Sequence, residues 1–124
     1  VGDFAIVGGL SAVHQFVRVG AHSIIGGMSG VENDVIPYGS AMGDRARLRG
    51  LNLVGLQRRD FSRDQIHTLR TAYRLLFAQE GTLSERLDDV VRLYGDNVAV
   101  HEIIEFIRGE ASRAILQPKQ GNGA

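Results

Sequence analysis

The sequence predicts a β-helix followed by a small bundle of α-helices, and three observations carry that reading. Six aliphatic residues recur every sixth position: Val1, Val7, Val13, Val19, Ile25 and Val31. Most of the 16 glycines lie at or before Gly55, so the two halves differ in kind. Beyond Ser62, apolar residues recur instead at helical spacing, behind capping residues. Neither a helix nor a half-buried strand produces a period of six, because their side-chain repeats are 3.6 and 2. A hexapeptide period is the mark of short strands wound into a coil whose equivalent positions stack.

The coil reads first, over residues 1–38. Its units are VGDFAI, VGGLSA, VHQFVR, VGAHSI, IGGMSG and VENDVI. The aliphatic residues point inward and stack as ladders. Gly2, Gly8, Gly20 and Gly26 follow them, which suits a turn with positive φ. Ala5, Ser11, Ser23 and Ser29 are small, which suits corners where backbones approach. Three units make a coil of about 18 residues, so the segment holds about two coils. Pro37 removes a ladder donor and reads as the end of the coil. Val1 and Gly2 stand in phase with the repeat, and the first coil presents a bare apolar edge. The chain is therefore expected to be the C-terminal part of a longer one.

One unit breaks the glycine rule in mid-repeat. VHQFVR carries His14 and Gln15 at an outward turn. They are either an ordinary surface pair or part of a site.

The connector spans 39–61. Gly39 to Arg49 reads as linker, and residues 51–59 read as a short helix. Arg45, Arg47, Arg49, Arg58, Arg59 and Arg63 crowd this region. A planar guanidinium matches phosphate and carboxylate oxygens, so the cluster is a candidate anion site. The competing reading is a solvated basic face paired with Asp44, Asp60 and Asp64.

Helices are expected over 62–116. Ser62 and Gln65 form a capping-box pattern ahead of Ile66, Leu69, Tyr73, Leu76 and Phe77, with Gly81 as the stop. Thr82 and Glu85 form a second box ahead of Leu87, Val90, Val91 and Tyr94. A third stripe is Val100, Ile103, Ile104 and Ile107, ending at Gly109. Each helix has one apolar face, so they should pack as an antiparallel bundle. The tail, 117–124, is polar and expected to be mobile.

Composition sets limits. The formal net charge is zero, so no global field draws the chain to nucleic acid or membrane. There is no cysteine, which excludes disulfides and thiolate metal sites and fits a reducing compartment. No apolar run reaches membrane-spanning length. The arginines have no interleaved aromatic platform for single-stranded nucleic acid. His14 and His22 are not spaced as a metal site on such a coil requires.

Three segments carry a family resemblance: AVHQF (12–16), the coil exit Val35 to Tyr38, and GLNLVGLQRRDFS (50–62). They resemble the acyl-carrier-protein-dependent UDP-N-acetylglucosamine O-acyltransferases that begin lipid A synthesis, over about residues 1–116. The resemblance implies a left-handed parallel β-helix, a C-terminal helical domain and a cytoplasmic homotrimer with active sites between subunits. It implies transfer of a 3-hydroxyacyl group from acyl carrier protein to the 3-hydroxyl of UDP-N-acetylglucosamine, without a cofactor. The family's general base, a histidine, and its oxyanion donor have no counterpart here and are expected upstream of Val1. His14 and Gln15 match residues lining the cleft beside donor and nucleotide. Asn52, Arg58 and Arg59 match residues near the UDP phosphates and the carrier's prosthetic arm. Gly27 matches the floor of the acyl groove. Val54 and Asp44 depart from the family pattern, where some members carry an acidic residue and Asn. The alternative is a non-catalytic trimerising or carrier-protein-binding role.

Overall fold

The computed structural model describes residues 1–109 and 113–118. Among the described residues, six strands precede four helices: β1 (Ile6–Val7), β2 (Ala12–Val13), β3 (Ile24–Ile25), β4 (Gly30–Val31), β5 (Gly39–Met42) and β6 (Arg47–Leu51), then α1 (Leu53–Arg58), α2 (Arg63–Leu76), α3 (Leu83–Tyr94) and α4 (Val98–Arg108).

The first half is a parallel β-helix. Ile6 stands on Ile24 and Ala12 on Gly30, so the first coil takes 18 residues. The second is tighter by two: Ile24 stands on Ser40 and Val19 on Val35. Its core is a column that fills as rungs are added. Val1 is 85% exposed and Val7 43%, whereas Val19, Ile25 and Val31 are buried. An inward side chain is covered only where a rung lies on each side of it.

The glycines do a different job from the one their position suggests. Gly2, Gly8, Gly20 and Gly26 do not take positive φ; Phe4, Leu10, Phe16, His22, Met28 and Tyr38 do, at 58° to 67°. The glycines are needed for clearance. A Cβ on Gly2 or Gly8 would lie 2.5 Å from the backbone nitrogen of Ala21 or Gly27, and one on Gly20 would collide with Pro37. The small corner residues follow the expectation: Ser23 Oγ donates to Gly20 O at 2.7 Å, and Ser11 Oγ to Gly26 O at 2.8 Å.

Pro37 does not end the coil, and Gly39 to Arg49 is not a linker. Pro37 stacks against Gly20, whose N–H donates to Val35 O; the proline cannot repeat that bond, yet the chain runs on into β5. β5 continues the stack in parallel on β3, and β6 then turns back antiparallel on β5. Short α1 follows, inside the stretch expected to be helical.

The helices start where their caps are. Ser62 accepts from Gln65 N–H while the Gln65 side chain accepts from Ser62 N–H, a complete capping box. Thr82 makes half of one: its hydroxyl accepts from Glu85 N–H and donates to the Glu85 carboxylate. Asn97 caps α4, accepting from Val100 N–H. α2 stops at Leu76, short of Gly81. The Arg86 guanidinium reaches back to the carbonyls of Leu76, Glu80 and Gly81, satisfying groups that a longer helix would have used itself. α2, α3 and α4 contact one another, and their Leu69, Leu76, Leu87, Val90, Val100 and Ile104 are buried in the core.

The two halves are joined by polar links as well as by apolar packing. Buried Asp34 receives Arg18 Nε at 2.8 Å, and Arg18 also donates to Phe106 O on α4 at 2.7 Å. Tyr38 O–H donates to Glu102 on α4. After α4 the chain returns to the coil: Leu116 N–H donates to Asp34 O, and Gln117 O accepts from Leu48 N–H. Gln117 and Pro118, expected as the start of a loose tail, are thus laid against β6 because its edge offers free backbone groups. The rest of that tail, 119–124, lies outside the described residues.

Candidate functional site

A cleft of about 220 Å³ opens where α1 meets the corner of the first two coils. Phe4, His22, Asn52, Arg58 and Arg59 line it, and Ile6 and Ile24 form an apolar wall. Three of the residues singled out in the sequence therefore come together here.

They do not play equal parts. Asn52 is buried, and its side chain is committed to structure. Its Oδ1 accepts from Gly55 N–H at 3.1 Å, capping α1, and its Nδ2 donates to His22 O at 3.0 Å. Its own N–H donates to Tyr38 O at 2.7 Å. Asn52 thus sets where α1 starts relative to the coil, and α1 in turn delivers Arg58 and Arg59. Both arginines are exposed at the end of the helix. Arg59 also forms the C-cap, its N–H shared between Gly55 O and Leu56 O.

Among the described residues, no ion pair forms between Arg45, Arg47, Arg49, Arg58, Arg59 or Arg63 and any carboxylate, including those of Asp44, Asp60 and Asp64. The six do not form one cluster: Arg58 and Arg59 share the cleft, Arg45 and Arg47 line a separate pocket with Glu32, and Arg49 lines a third with Arg70 and Tyr73. Two unpaired guanidinium groups beside an apolar wall suit an anion attached to a less polar body.

An aromatic column rises along the same corner. Phe4 stacks on His22 with centroids 5.1 Å apart, and His22 on Tyr38 at 5.3 Å with planes 1° apart. The Arg59 guanidinium carbon lies 3.5 Å from the Phe4 ring centroid. Burial first, and then Glu102 as acceptor and neighbouring charge, push the Tyr38 hydroxyl far above the ordinary phenol range. It stays a donor at any physiological pH.

His14, Gln15 and Gly27 lie elsewhere. His14 and Gln15 are exposed on the corner that follows β2, where Arg113 donates to Gln15 O and Glu32 O at 2.9 Å each. Gly27 is exposed on a third corner, between β3 and β4, against Gly9 O. A single chain therefore brings Asn52, Arg58 and Arg59 to one cleft and leaves the other three on two other corners, His14 with Gln15 on one and Gly27 on the other.

Sequence reasoning missed Phe4, His22 and Arg113. Phe4 and His22 share one place in the repeat 18 residues apart, so the coil period could have flagged them. Nothing local marks Arg113, which reaches a carbonyl 98 residues away. Among the described residues no three His, Asp or Glu groups converge as a metal site would require. Among the described residues no helix is long and apolar enough to cross a membrane.

Comparison with known proteins gives a consistent picture. The family model "Udp N-acetylglucosamine O-acyltransferase; Domain 2" matches residues 34–116. An acyl-[acyl-carrier-protein]–UDP-N-acetylglucosamine O-acyltransferase of Methylobacterium radiotolerans is 58% identical over 93 residues, covering 75% of this chain and 34% of the relative. One from Sinorhizobium medicae is 43% identical over 121 residues, covering 98% and 45%. Among solved structures, the UDP-N-acetylglucosamine acyltransferase of Campylobacter jejuni matches with a TM-score of 0.86 at 39% identity, over 95% of this chain and 45% of that one. The UDP-N-acetylglucosamine O-acyltransferase of Moraxella catarrhalis gives 0.87 at 35%, over 94% and 45%. The chain spans less than half the length of these relatives. On the family model and the likeness to solved structures together, the chain belongs to the UDP-N-acetylglucosamine O-acyltransferase family.

Proposed function

We propose that this chain is the C-terminal, substrate-handling part of an acyltransferase. The reaction moves a 3-hydroxyacyl chain from acyl carrier protein to the 3-hydroxyl of UDP-N-acetylglucosamine, the first step of lipid A biosynthesis. The observation that carries the reading is the cleft in which Arg58 and Arg59 stand unpaired beside an apolar wall. A pyrophosphate and an acidic carrier protein are both anionic, and two free guanidinium groups suit either. Asn52 acts through α1, holding the arginines in register. His14 and Gln15 contribute from their own corner, and Gly27 leaves room on the acyl groove floor. The general base lies outside these 124 residues, in coils preceding Val1.

The assembly proposed is a cytoplasmic homotrimer of left-handed coils, each followed by an antiparallel helical bundle. Its support is geometric. The candidate residues occupy three corners of one chain, so a site that uses all of them needs corners from different copies. Leu10, Met28 and Phe16 project from two of those corners 88%, 69% and 67% exposed, as residues awaiting a neighbour do.

The test is a chimera in which these residues replace the matching segment of the Sinorhizobium medicae relative. It should turn over UDP-N-acetylglucosamine with acyl carrier protein as donor. His14→Ala should lower activity with the trimer intact by light scattering. Loss of assembly instead would make His14 structural. No turnover in a chimera that folds and trimerises would reject the reading.

A further inference from the structure

The Arg59 side chain is long, exposed and, among the described residues, not paired with any carboxylate. Left alone, such a side chain samples many rotamers, and fixing it costs up to about 2 kcal/mol. What touches it is the face of Phe4. We infer that Phe4 and His22 are positioning residues that hold the Arg59 guanidinium over the cleft. This rests on the assignment of Arg59 to substrate handling made above.

The column explains how a residue on a surface corner can do this. Phe4 leans on His22 and His22 on Tyr38. Tyr38 is buried and fixed through its hydroxyl to Glu102 on α4. The carbonyl of His22 is gripped by Asn52, the residue that also starts α1. The ring that receives the guanidinium and the helix that delivers it are thus referred to the same two anchors. Phe4, His22 and Tyr38 all hold positive φ, a conformation costing an L-residue about 1–2 kcal/mol. Stacking against one another offsets part of that cost.

An aromatic support also has a chemical advantage over an acidic one. A carboxylate would fix the guanidinium by occupying its N–H donors and cancelling its charge. A ring holds it by the π-face and leaves all five donors and the charge free for an incoming anion.

The corner geometry supplies well-behaved variants. Leu10 and Met28 take φ of 58° and 61° at equivalent corners, so Phe4→Leu and His22→Met should preserve the fold. The side-chain Nε–H of Arg59 is then followed by NMR in the full chain. We expect Phe4→Leu to abolish its ring-current shift and drop its order parameter below about 0.6. His22→Met should do so partially, and Phe4→Tyr should retain both. An order parameter unchanged by Phe4→Leu would overturn the inference. In the chimera, Phe4→Leu should raise KM for the anionic substrate about two- to five-fold with kcat unchanged. It should add nothing in an Arg59→Ala background, whereas a structural effect would persist there and count against positioning. If the order parameter falls as expected yet Arg59→Ala has unaltered kinetics, positioning stands and the substrate role of Arg59 fails.

Discussion

Arg18 and Asp34 are hydrogen-bonded twice, through Arg18 Nε to Oδ2 and through Arg18 N–H to Oδ1, both at 2.8 Å. The carboxylate is fully buried in the last coil, and the same guanidinium reaches Phe106 O and lies 4.1 Å over the Phe106 ring. The pair therefore locks α4 to the coil. Removing one partner leaves a buried charge unanswered, which costs about 3–5 kcal/mol. Arg18→Met, which leaves the Asp34 carboxylate buried and unpaired, should lose that much stability in denaturant unfolding. Replacing both by apolar residues, Arg18→Met with Asp34→Leu, should cost less than the single change.

Steric clearance, not backbone freedom, explains the coil glycines. Gly20→Ala drives a methyl group into Pro37 of the next coil, where main chain cannot yield cheaply. A Cβ on Gly9 meets nothing within 4 Å. Gly20→Ala should destabilise by about 2 kcal/mol or more, and Gly9→Ala should stay within about 0.5 kcal/mol of neutral. Equal effects in thermal melts would return the glycines to a conformational role.

Tyr38 gives the fold a pH limit. Its hydroxyl is protonated in both states at neutral pH, and its folded pKa is raised from the ordinary 10.0. Above about pH 10 the unfolded chain releases this proton and the folded one does not. Stability is thus whole below that pH and falls as pH rises towards the folded value, by up to about 1.4 kcal/mol per unit. Tyr38→Phe should flatten this alkaline slope. Tyr73, also raised by burial, leaves a residual one.

Arg113 clamps the corner that carries His14 and Gln15. Its two bonds to Gln15 O and Glu32 O are charge-assisted. Arg113→Ala should lower the local opening free energy of that corner by about 1–2 kcal/mol. Faster hydrogen exchange at Val17 N–H, which is bonded to His14 O, would report it.

The period of six made the coil legible, and caps with apolar stripes made the helices legible, because both are local rules repeated along the chain. Positions where one local rule met a distant partner were misread. Pro37 looked like a stop because a proline cannot donate, but losing that one bond does not keep β5 from pairing with β3. α2 looked longer because Gly81 fits a cap, but Arg86, ten residues beyond Leu76, takes that role. In the site, Arg58 and Arg59 stood out as a run of charge, and Asn52 through the family motif. Phe4 and His22 did not, because their partnership exists only once one coil is laid on the next.

The central claim is that the cleft at Arg58 and Arg59 handles the anionic substrate of an acyl transfer. The most direct measurement is kcat/KM for UDP-N-acetylglucosamine in the chimera, with and without Arg58→Ala. The account predicts a loss of about ten- to a hundred-fold, the value of one or two kcal/mol and somewhat more of charge-assisted bonding. A kcat/KM unchanged by the substitution, in a protein that remains folded and trimeric, would contradict it.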